Sequence, residues 1–237
     1  MTRAFAALAA AALLAGCGGS GDDDAETTVF AASSLADVAP RVDREATVVL
    51  GGSNDLAAQI RDGADADVFL SASAKPIEEL GDLLEEPIAF ASNRLVLVVP
   101  SDNPSGTREL ADLTRAGVKL VLGADGVPVG DYAREALVAA GLEEALAQVV
   151  SLEEDVKGVL GKVALGEADA GIVYATDARA AGDEVRALPL PDDLQPDIRY
   201  HAALVAPATT AGRAYLDRLL GPEGAEALRD AGFLPAP

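Results

Sequence analysis

The stretch GADADVFLSASA, at residues 63–74, recurs in outline as ADAGIVYATDA at residues 168–178. Both stretches follow a helical pattern that ends in a glycine, Gly63 in the first and Gly166 in the second. In each, Ala-Asp-Ala precedes an apolar run, and residues typical of a helix start follow. Such a resemblance could arise by chance in an alanine-rich chain. Otherwise it predicts the same strand-to-helix step in two similarly built lobes.

Apolar runs alternate with helical patterns along the whole body of the chain. The runs predict strands at 27–31, 47–51, 68–71, 94–100, 119–123, 148–151, 171–174 and 200–206. Helices are predicted near 35–44, 56–62, 75–84, 132–140, 156–165, just after Asp177, and at 211–219 and 222–231. Continuous apolar strands separated by helices are typical of parallel sheets covered by helices. The predicted fold class is therefore α/β, with each lobe a mainly parallel sheet flanked by helices.

Two long predicted strands, 94–100 and 199–206, each end near a proline. We interpret them as the connections between the lobes. Lobe 1 then comprises residues 27–98 plus 203–237, and lobe 2 comprises residues 99–202. Two connecting strands form a hinge, and the cleft between the lobes is the natural place for a ligand.

Charge and composition exclude several classes of protein. The 237 residues include 39 acidic and 18 basic side chains, which gives a formal net charge of −21. A nucleic-acid-binding protein needs a basic surface, so no nucleic-acid partner is expected. The chain has one histidine and one cysteine, so a histidine metal centre, a cysteine-bound zinc site and an internal disulfide are not expected. We expect neither a cofactor nor a bound metal cation.

The N-terminus has the pattern of an export signal. Arg3 precedes 11 apolar residues, Ala4–Leu14, whereas a membrane-spanning helix needs about 20. The segment ends in Leu14-Ala15-Gly16-Cys17, which resembles a bacterial lipobox. Residues 1–16 are therefore predicted to be a lipoprotein signal peptide, and residues 17–26 a lipidated Cys17 followed by a flexible acidic tether. A short buried helix with a buried cysteine is the alternative. On the first interpretation the protein is exported and anchored to the membrane by its lipid, in the periplasm or on the outer face of the cell membrane.

Small or polar turns follow several predicted strands and open the next helix. They are Ser33-Ser34, Gly52–Asp55, Ala124–Gly130 and Leu152–Val156. In parallel sheets ligands bind at the carboxyl ends of the strands, where helix N-termini offer unpaired N–H groups and partial positive charge. Several such helix starts in one cleft, with the Tyr174 hydroxyl, would bind an anion without lysine or arginine. Taken singly, each turn fits ordinary helix capping and Tyr174 fits a half-buried sheet residue, so the residues alone leave anion binding open.

An ordered set of motifs adds a family resemblance. The segments are VFAASSL (29–35), GGSNDLAAQI (51–60), GADADVFLSAS (63–73), NRLVLVVP (93–100), VPVGDYAREAL (127–137), EDVKGVL (154–160), GIVYATDA (171–178) and GPEGAEALRDAGF (221–233). This set resembles the molybdate-binding proteins of bacterial ABC transporters. The resemblance implies a type II periplasmic-binding-protein fold, with two lobes joined by a two-strand hinge. It also implies a monomeric protein that binds molybdate, and tungstate as well, and delivers it to a membrane permease with its ATPase.

The resemblance also implies a site made of neutral donors. In that family such donors hold a tetrahedral oxyanion, and the matching positions here are Ser34, Ser53, Val129, Val156 and Tyr174. The two serines would contribute hydroxyl and main-chain N–H groups, the valines main-chain N–H groups, and the tyrosine its hydroxyl. These positions coincide with the helix-start donors described above. Such a site would disfavour a protonated phosphate, whose own proton would find no acceptor.

Two positions depart from the family's usual pattern. Val129 stands where a smaller alanine is frequent, and Asn54-Asp55 where serine, threonine or glycine is frequent. Asp55 could cap its own helix. Alternatively, Asp55 or Asp155 could touch the ligand, as carboxylates do in the related archaeal tungstate-binding proteins.

Other functions remain open on the sequence alone. Receptors for sulfate, phosphate, tungstate alone or an organic anion share the two-lobe plan, and the many acidic residues could bind a hard cation, although no calcium-loop pattern occurs. An envelope hydrolase would need a base beside a serine, but His201 is the only histidine and lies in a predicted hinge strand. The chain has neither a G-x-S-x-G motif nor a Walker A loop, so we expect no enzymatic activity.

Overall fold

The computed structural model describes residues 26–236, so the predicted signal peptide, Cys17 and nearly all of the predicted tether lie outside the described residues. The strands are β1 Thr28–Ala32, β2 Thr47–Gly51, β3 Val68–Ser71, β4 Leu84–Ser92, β5 Leu95–Pro100, β6 Leu120–Gly123, β7 Val149–Glu153, β8 Ala170–Tyr174, β9 Val185–Pro189, β10 Arg199–Val205 and β11 Leu234–Pro235. The α-helices are α1 Ala39–Val42, α2 Ser53–Arg61, α3 Lys75–Leu80, α4 Pro128–Ala139, α5 Val156–Ala164, α6 Ala175–Ala181, α7 Thr210–Leu220 and α8 Pro222–Ala231. Short 3-10 helices join them, among them Ser33–Leu35 directly after β1.

The strands form two sheets of the same design. The first has the order β2-β1-β3-β10-β4-β11 and the second has the order β7-β6-β8-β5-β9. In each sheet the first three strands pair in parallel, and the remaining pairs are antiparallel. The predicted two-lobe α/β class is confirmed, but the sheets are mixed rather than mainly parallel. The reason is that β5 and β10, which enter each sheet from the other lobe, run against their neighbours.

The repeated stretch at residues 63–74 and 168–178 has one structural role in both lobes. The carboxylate of Asp67, just before β3, accepts a hydrogen bond from the N–H of Thr28 at 2.8 Å, and the Asp67 N–H donates to the Thr28 carbonyl. The carboxylate of Asp169, just before β8, accepts from the N–H of Lys119 at 2.8 Å, and the Asp169 N–H donates to the Lys119 carbonyl. Each aspartate thus fixes the start of one parallel strand beside its neighbour. Both lobes therefore contain the same element at the start of a strand, although the repeated Ala-Asp-Ala pairs Asp65 with Asp169 and is two residues out of register with the structural match, Asp67 with Asp169.

The chain crosses between the sheets twice, at residues 93–94 and in the segment 190–198 that follows β9. The predicted lobe boundaries fall inside two strands, between residues 98 and 99 in β5 and between 202 and 203 in β10. Each of these strands belongs to one sheet over its whole length. We therefore use lobe 1 for residues 26–93 with 199–236, and lobe 2 for residues 94–198.

Some elements differ from the prediction for local reasons. The predicted helix at 35–44 is the 3-10 helix Ser33–Leu35 followed by the single turn of α1, and the predicted helix at 75–84 ends at Leu80. Strands β4, β9 and β11 were not predicted. The sequence of β4 contains Glu85, Glu86 and Pro87, which disfavour a strand, and only pairing with β10 and β11 makes it one.

Aromatic side chains fill the junction between the lobes. Tyr200 of β10 is fully buried and packs edge-on against Phe90, Phe233 and Tyr174, with ring centroids 6.3, 5.2 and 5.8 Å away. Tyr174 ends β8 in lobe 2, whereas Tyr200 belongs to lobe 1. The core therefore continues from one lobe to the other behind the cleft.

Candidate anion-binding site

A small cavity lies between the lobes, where the carboxyl ends of the parallel strands of both sheets meet. Its free volume is only about 10 Å³, which is about the space that one water molecule needs, so only a small compact guest would fit between the lobes. Its walls are Ala32, Ser33, Ser34, Gly51, Gly52, Ser53, Val127, Pro128, Val129, Asp155, Val156 and Tyr174. The structure thus brings all five predicted site residues together around one cavity; their role in binding a ligand stays a prediction.

Ser53 is held with its proton available to the cavity. It is the first residue of α2, separated from the end of β2 by Gly52 alone, and is 1% exposed. Its Oγ accepts a hydrogen bond from the main-chain N–H of Ala72 at 3.0 Å. Because a main-chain N–H can only donate, the Ser53 oxygen is the acceptor in this bond. The Ser53 hydroxyl proton therefore remains free for a guest.

Ser34 is tied to the aromatic junction. It lies in the 3-10 helix after β1, and its Oγ is 2.9 Å from the hydroxyl of Tyr200. The side-chain amide of Asn93, at the first crossing between the sheets, lies 3.5 Å from the same Tyr200 hydroxyl. Ser34, Tyr200 and Asn93 are all buried, so this chain of polar groups extends from the cavity wall into the protein interior.

Lobe 2 lines the cavity with main-chain N–H groups at two helix starts. Helix α4 begins at Pro128, which has no N–H, so Val129 carries the first main-chain donor of that helix. Helix α5 begins at Val156, and its N-cap Asp155 accepts a hydrogen bond from the N–H of Gly158 at 2.9 Å. The first N–H groups of a helix have no partner within it. Val129 and Val156 therefore combine a free N–H group with a buried side chain that anchors it.

A close backbone approach positions the start of α4. A Cβ atom added at Gly130 would lie 2.3 Å from the carbonyl oxygen of Gly123, the last residue of β6. Only glycine permits that approach. The first turn of α4 is therefore packed directly against the end of the strand.

Tyr174 presents a buried hydroxyl without a partner. The residue is 1% exposed, and its hydroxyl has no hydrogen-bond partner among the described residues. Burial raises the pKa of Tyr174 well above its ordinary value, so the phenol keeps its proton and can donate. A buried polar group left unpaired costs about 1–3 kcal/mol, so such a group is expected where a guest completes its hydrogen bonding.

The cavity lining contains no positively charged side chain. None of the lining residues is a lysine or an arginine. Lys157, beside Val156, places its Nζ 2.8 Å from the fully buried carboxylate of Asp177. Burial raises the pKa of Asp177, and the ammonium of Lys157 opposes that rise. The positive charge of Lys157 is therefore compensated within lobe 2.

The two candidate carboxylate ligands have different positions. Asp155 lines the cavity, but one oxygen of its carboxylate is occupied in capping α5. Asp55 is not among the lining residues and accepts a hydrogen bond from the side-chain amide of Asn54 at 2.9 Å. Among residues 26–236, no group of three histidine, cysteine, aspartate or glutamate side chains lies close enough to hold a metal ion.

Sequence reasoning missed the contact that brings the lobes together. A Cβ atom added at Gly52 would lie 2.2 Å from the carbonyl oxygen of Glu154 on the other side of the cleft. The Gly51-Gly52 pair before a helix was a usable signal for this approach. Nothing in the sequence indicated that Tyr200, Asn93 and the Ala72 N–H would support the site from behind.

The family profile of the bacterial extracellular solute-binding proteins matches residues 28–234. A Mycobacterium tuberculosis protein named molybdate-binding protein ModA is 35% identical over 69% of this chain, and the match spans 66% of that relative, just under two thirds of its length. The Escherichia coli protein of the same name is 33% identical over 89% of this chain and 90% of its own. A Bacillus subtilis ABC transporter substrate-binding lipoprotein, YvgL, is 33% identical over 73% of this chain and 74% of its own.

A solved structure shows the same fold. The periplasmic molybdate-binding protein of Azotobacter vinelandii superposes with a TM-score of 0.77 at 20% identity, over 90% of this chain and 100% of that one. Within residues 26–236, no helix has the length and apolar character needed to cross a lipid bilayer. The chain belongs to the bacterial extracellular solute-binding proteins.

Proposed function

We propose that this protein is the substrate-binding component of a bacterial ABC importer for molybdate, with tungstate as a second substrate. The observation that carries the proposal is a cavity between two lobes whose polar lining offers mostly hydrogen-bond donors. The Ser53 hydroxyl has its oxygen already used as an acceptor, and the Tyr174 hydroxyl is buried without a partner. The names of the Mycobacterium tuberculosis and Escherichia coli relatives support the choice of molybdate.

The donor-rich lining explains the preferred class of ligand. A tetrahedral dianion without a proton can accept hydrogen bonds on every oxygen, and helix starts are suited to bind it. A protonated phosphate would bring a donor into a cavity with few free acceptors, at a cost of about 1–3 kcal/mol, or about 5- to 150-fold in affinity. Sulfate carries no proton, so its rejection must depend on the size of the cavity.

Donors from both lobes explain how binding can be signalled. Ser34 and Ser53 belong to lobe 1, whereas Val129, Val156 and Tyr174 belong to lobe 2. A ligand that bonds to both lobes binds the closed arrangement better than an open one, and so shifts the population toward closure. A membrane permease with its ATPase would then receive the closed, loaded form.

We infer that the protein is exported and held at the membrane by a lipid on Cys17, and that it acts as a monomer without catalytic activity. The pattern of residues 1–17 and the lipoprotein relative from Bacillus subtilis support the anchor. Mass spectrometry of the N-terminal peptide from membranes should find a lipid on Cys17. The Cys17→Ala variant should lose the membrane association, and unchanged association would contradict the anchor.

Titration calorimetry of the purified protein with molybdate, tungstate, sulfate and phosphate at equal ionic strength tests the proposed function. We expect tight binding of molybdate and tungstate only. Stronger binding of sulfate or phosphate would assign the same site to another oxyanion. Absence of binding by all four anions would overturn the proposal.

A further inference from the structure

We propose that Tyr200 is a positioning residue that fixes the Ser34 hydroxyl as a donor toward the bound oxyanion. This inference rests on the proposed function, because it concerns how the same cavity selects its ligand. Tyr200 itself is not among the residues that line the cavity. It would act only through Ser34.

The donor and acceptor in each of these hydrogen bonds can be assigned by starting from the side-chain amide of Asn93. The Oδ1 atom of Asn93 accepts from the main-chain N–H of Arg94 at 2.9 Å, which identifies the other end of the amide as Nδ2. That Nδ2 group lies 2.9 Å from Oγ1 of Thr176 and 3.5 Å from the hydroxyl of Tyr200. An amide NH₂ group only donates, so the Tyr200 oxygen accepts from Asn93.

We assign the Tyr200 proton to the bond with Ser34, in which by distance alone either oxygen could be the donor. The hydroxyl has one proton, and the nearest acceptor is Ser34 Oγ at 2.9 Å. Burial raises the pKa of Tyr200 well above its ordinary value, so this proton stays on the phenol. Tyr200 therefore donates to Ser34. The Ser34 oxygen is used as an acceptor, and its own proton is left for the cavity.

The result matches the arrangement at Ser53 by a different route. There, a main-chain N–H from Ala72 occupies the serine oxygen; at Ser34, a buried phenol does the same. With each serine oxygen bonded from behind, both serine protons point to the cavity, where they would oppose the proton of a protonated anion instead of accepting it. Tyr200 would therefore affect selectivity as well as affinity.

The test compares Tyr200→Phe with Tyr215→Phe by calorimetry with molybdate and with phosphate at pH 7. Phenylalanine at 200 keeps the ring that packs against Phe90 and Phe233 and removes only the hydroxyl. Tyr215 is the matched control, because its buried hydroxyl donates to the Ala39 carbonyl at 2.9 Å and the residue does not line the cavity. We expect Tyr200→Phe to weaken molybdate binding about 3- to 10-fold. Phosphate binding should stay equal or strengthen, because the Ser34 hydroxyl becomes free to turn its oxygen toward the proton of the anion. Tyr215→Phe should change the affinity for neither anion.

The Ser34→Ala background separates positioning from a general structural effect. If Tyr200 acts through Ser34, adding Tyr200→Phe to Ser34→Ala should weaken molybdate binding no further. An equal loss in both backgrounds, or wild-type affinity and selectivity in Tyr200→Phe, would overturn the inference. Failure of the wild-type protein to bind molybdate would instead overturn the proposed function and this inference with it. If Tyr200→Phe does not melt cooperatively, Asn93→Leu is the second variant, because it removes the amide that donates to Tyr200. It should reduce the preference for molybdate over phosphate. A preference equal to that of the wild-type protein would overturn the inference.

Discussion

The two lobes line one cavity with different chemistry. Lobe 1 contributes the hydroxyls of Ser34 and Ser53, each oriented by a hydrogen bond from behind. Lobe 2 contributes main-chain N–H groups at the starts of α4 and α5, together with the unpartnered hydroxyl of Tyr174. A serine donor is lost when substitution by alanine removes its single hydroxyl oxygen. The main-chain donors of lobe 2 survive most substitutions, because every residue except proline has an N–H group.

The largest effect is expected where the two lobes touch. In Gly52→Ala the new methyl group would meet the Glu154 carbonyl oxygen, since a Cβ there lies 2.2 Å from it. The backbone of Gly52, with φ −64° and ψ 137°, suits alanine. Within lobe 1 the new methyl group would lie 2.9 Å from Oδ1 of Asn54, the end of a side chain that can turn away, so the fold itself should be retained. We expect molybdate affinity to fall on the order of 100-fold by calorimetry, because the cleft cannot close over the ligand.

A glycine outside the cavity lining provides the control for this substitution. A Cβ added at Gly161, within α5, would meet nothing within 4 Å, and Gly161 does not line the cavity. Gly161→Ala should therefore bind close to wild type. If Gly52→Ala also binds like wild type, the contact with Glu154 does not limit closure.

Ser53→Ala tests the hydroxyl chemistry of lobe 1. The change removes a donor to the ligand and leaves the Ala72 N–H without its acceptor, so we expect a loss of molybdate affinity of about 10- to 30-fold. Ser71→Ala is the matched control, since Ser71 is fully buried and its hydroxyl donates to the Ser73 carbonyl, away from the cavity lining. Equal affinity in both variants would remove Ser53 from the site.

The contrast between the lobes also shows what the sequence could predict. The strand-end turns predicted where the donors lie, because a parallel strand followed by a helix start is a local pattern. The parallel strands of each sheet, β1–β3 and β6–β8, were predicted correctly for the same reason. Strand β4 was missed because its pairing is with β10, more than 100 residues later. The support of Ser34 by Tyr200 was missed likewise, because it joins residues 166 positions apart.

Tyr174→Phe should separate affinity from stability. The Tyr174 hydroxyl has no partner within residues 26–236, so its removal should leave the melting temperature of the ligand-free protein equal or higher. Molybdate affinity should fall about 5- to 10-fold, since the ligand loses one donor. Tyr215→Phe should lower the melting temperature and leave molybdate affinity unchanged, because the Tyr215 hydroxyl donates to the Ala39 carbonyl and the residue does not line the cavity. A lower melting temperature with unchanged affinity in Tyr174→Phe would mean that the hydroxyl serves the fold and not the ligand.

Val156→Ala should have the smallest effect on binding, although Val156 lines the cavity. The substitution keeps the N–H group and removes buried methyl groups, so we expect affinity within about twofold of wild type and a loss of about 2 kcal/mol in the free energy of unfolding. Val159→Ala, in the same helix but outside the cavity lining, should show the same pair of results.

Val156→Pro removes the N–H group itself. Proline is well tolerated at the first position of a helix, and the preceding Asp155 already has the extended backbone that proline requires, with φ −154° and ψ 176°. Calorimetry should therefore show a loss of about 10-fold in molybdate affinity while cooperative melting is retained. If the alanine variant loses affinity and the proline variant does not, then α5 contacts the ligand through the side chain of Val156 and not through its N–H group, and the proposed main-chain chemistry of lobe 2 fails at this helix.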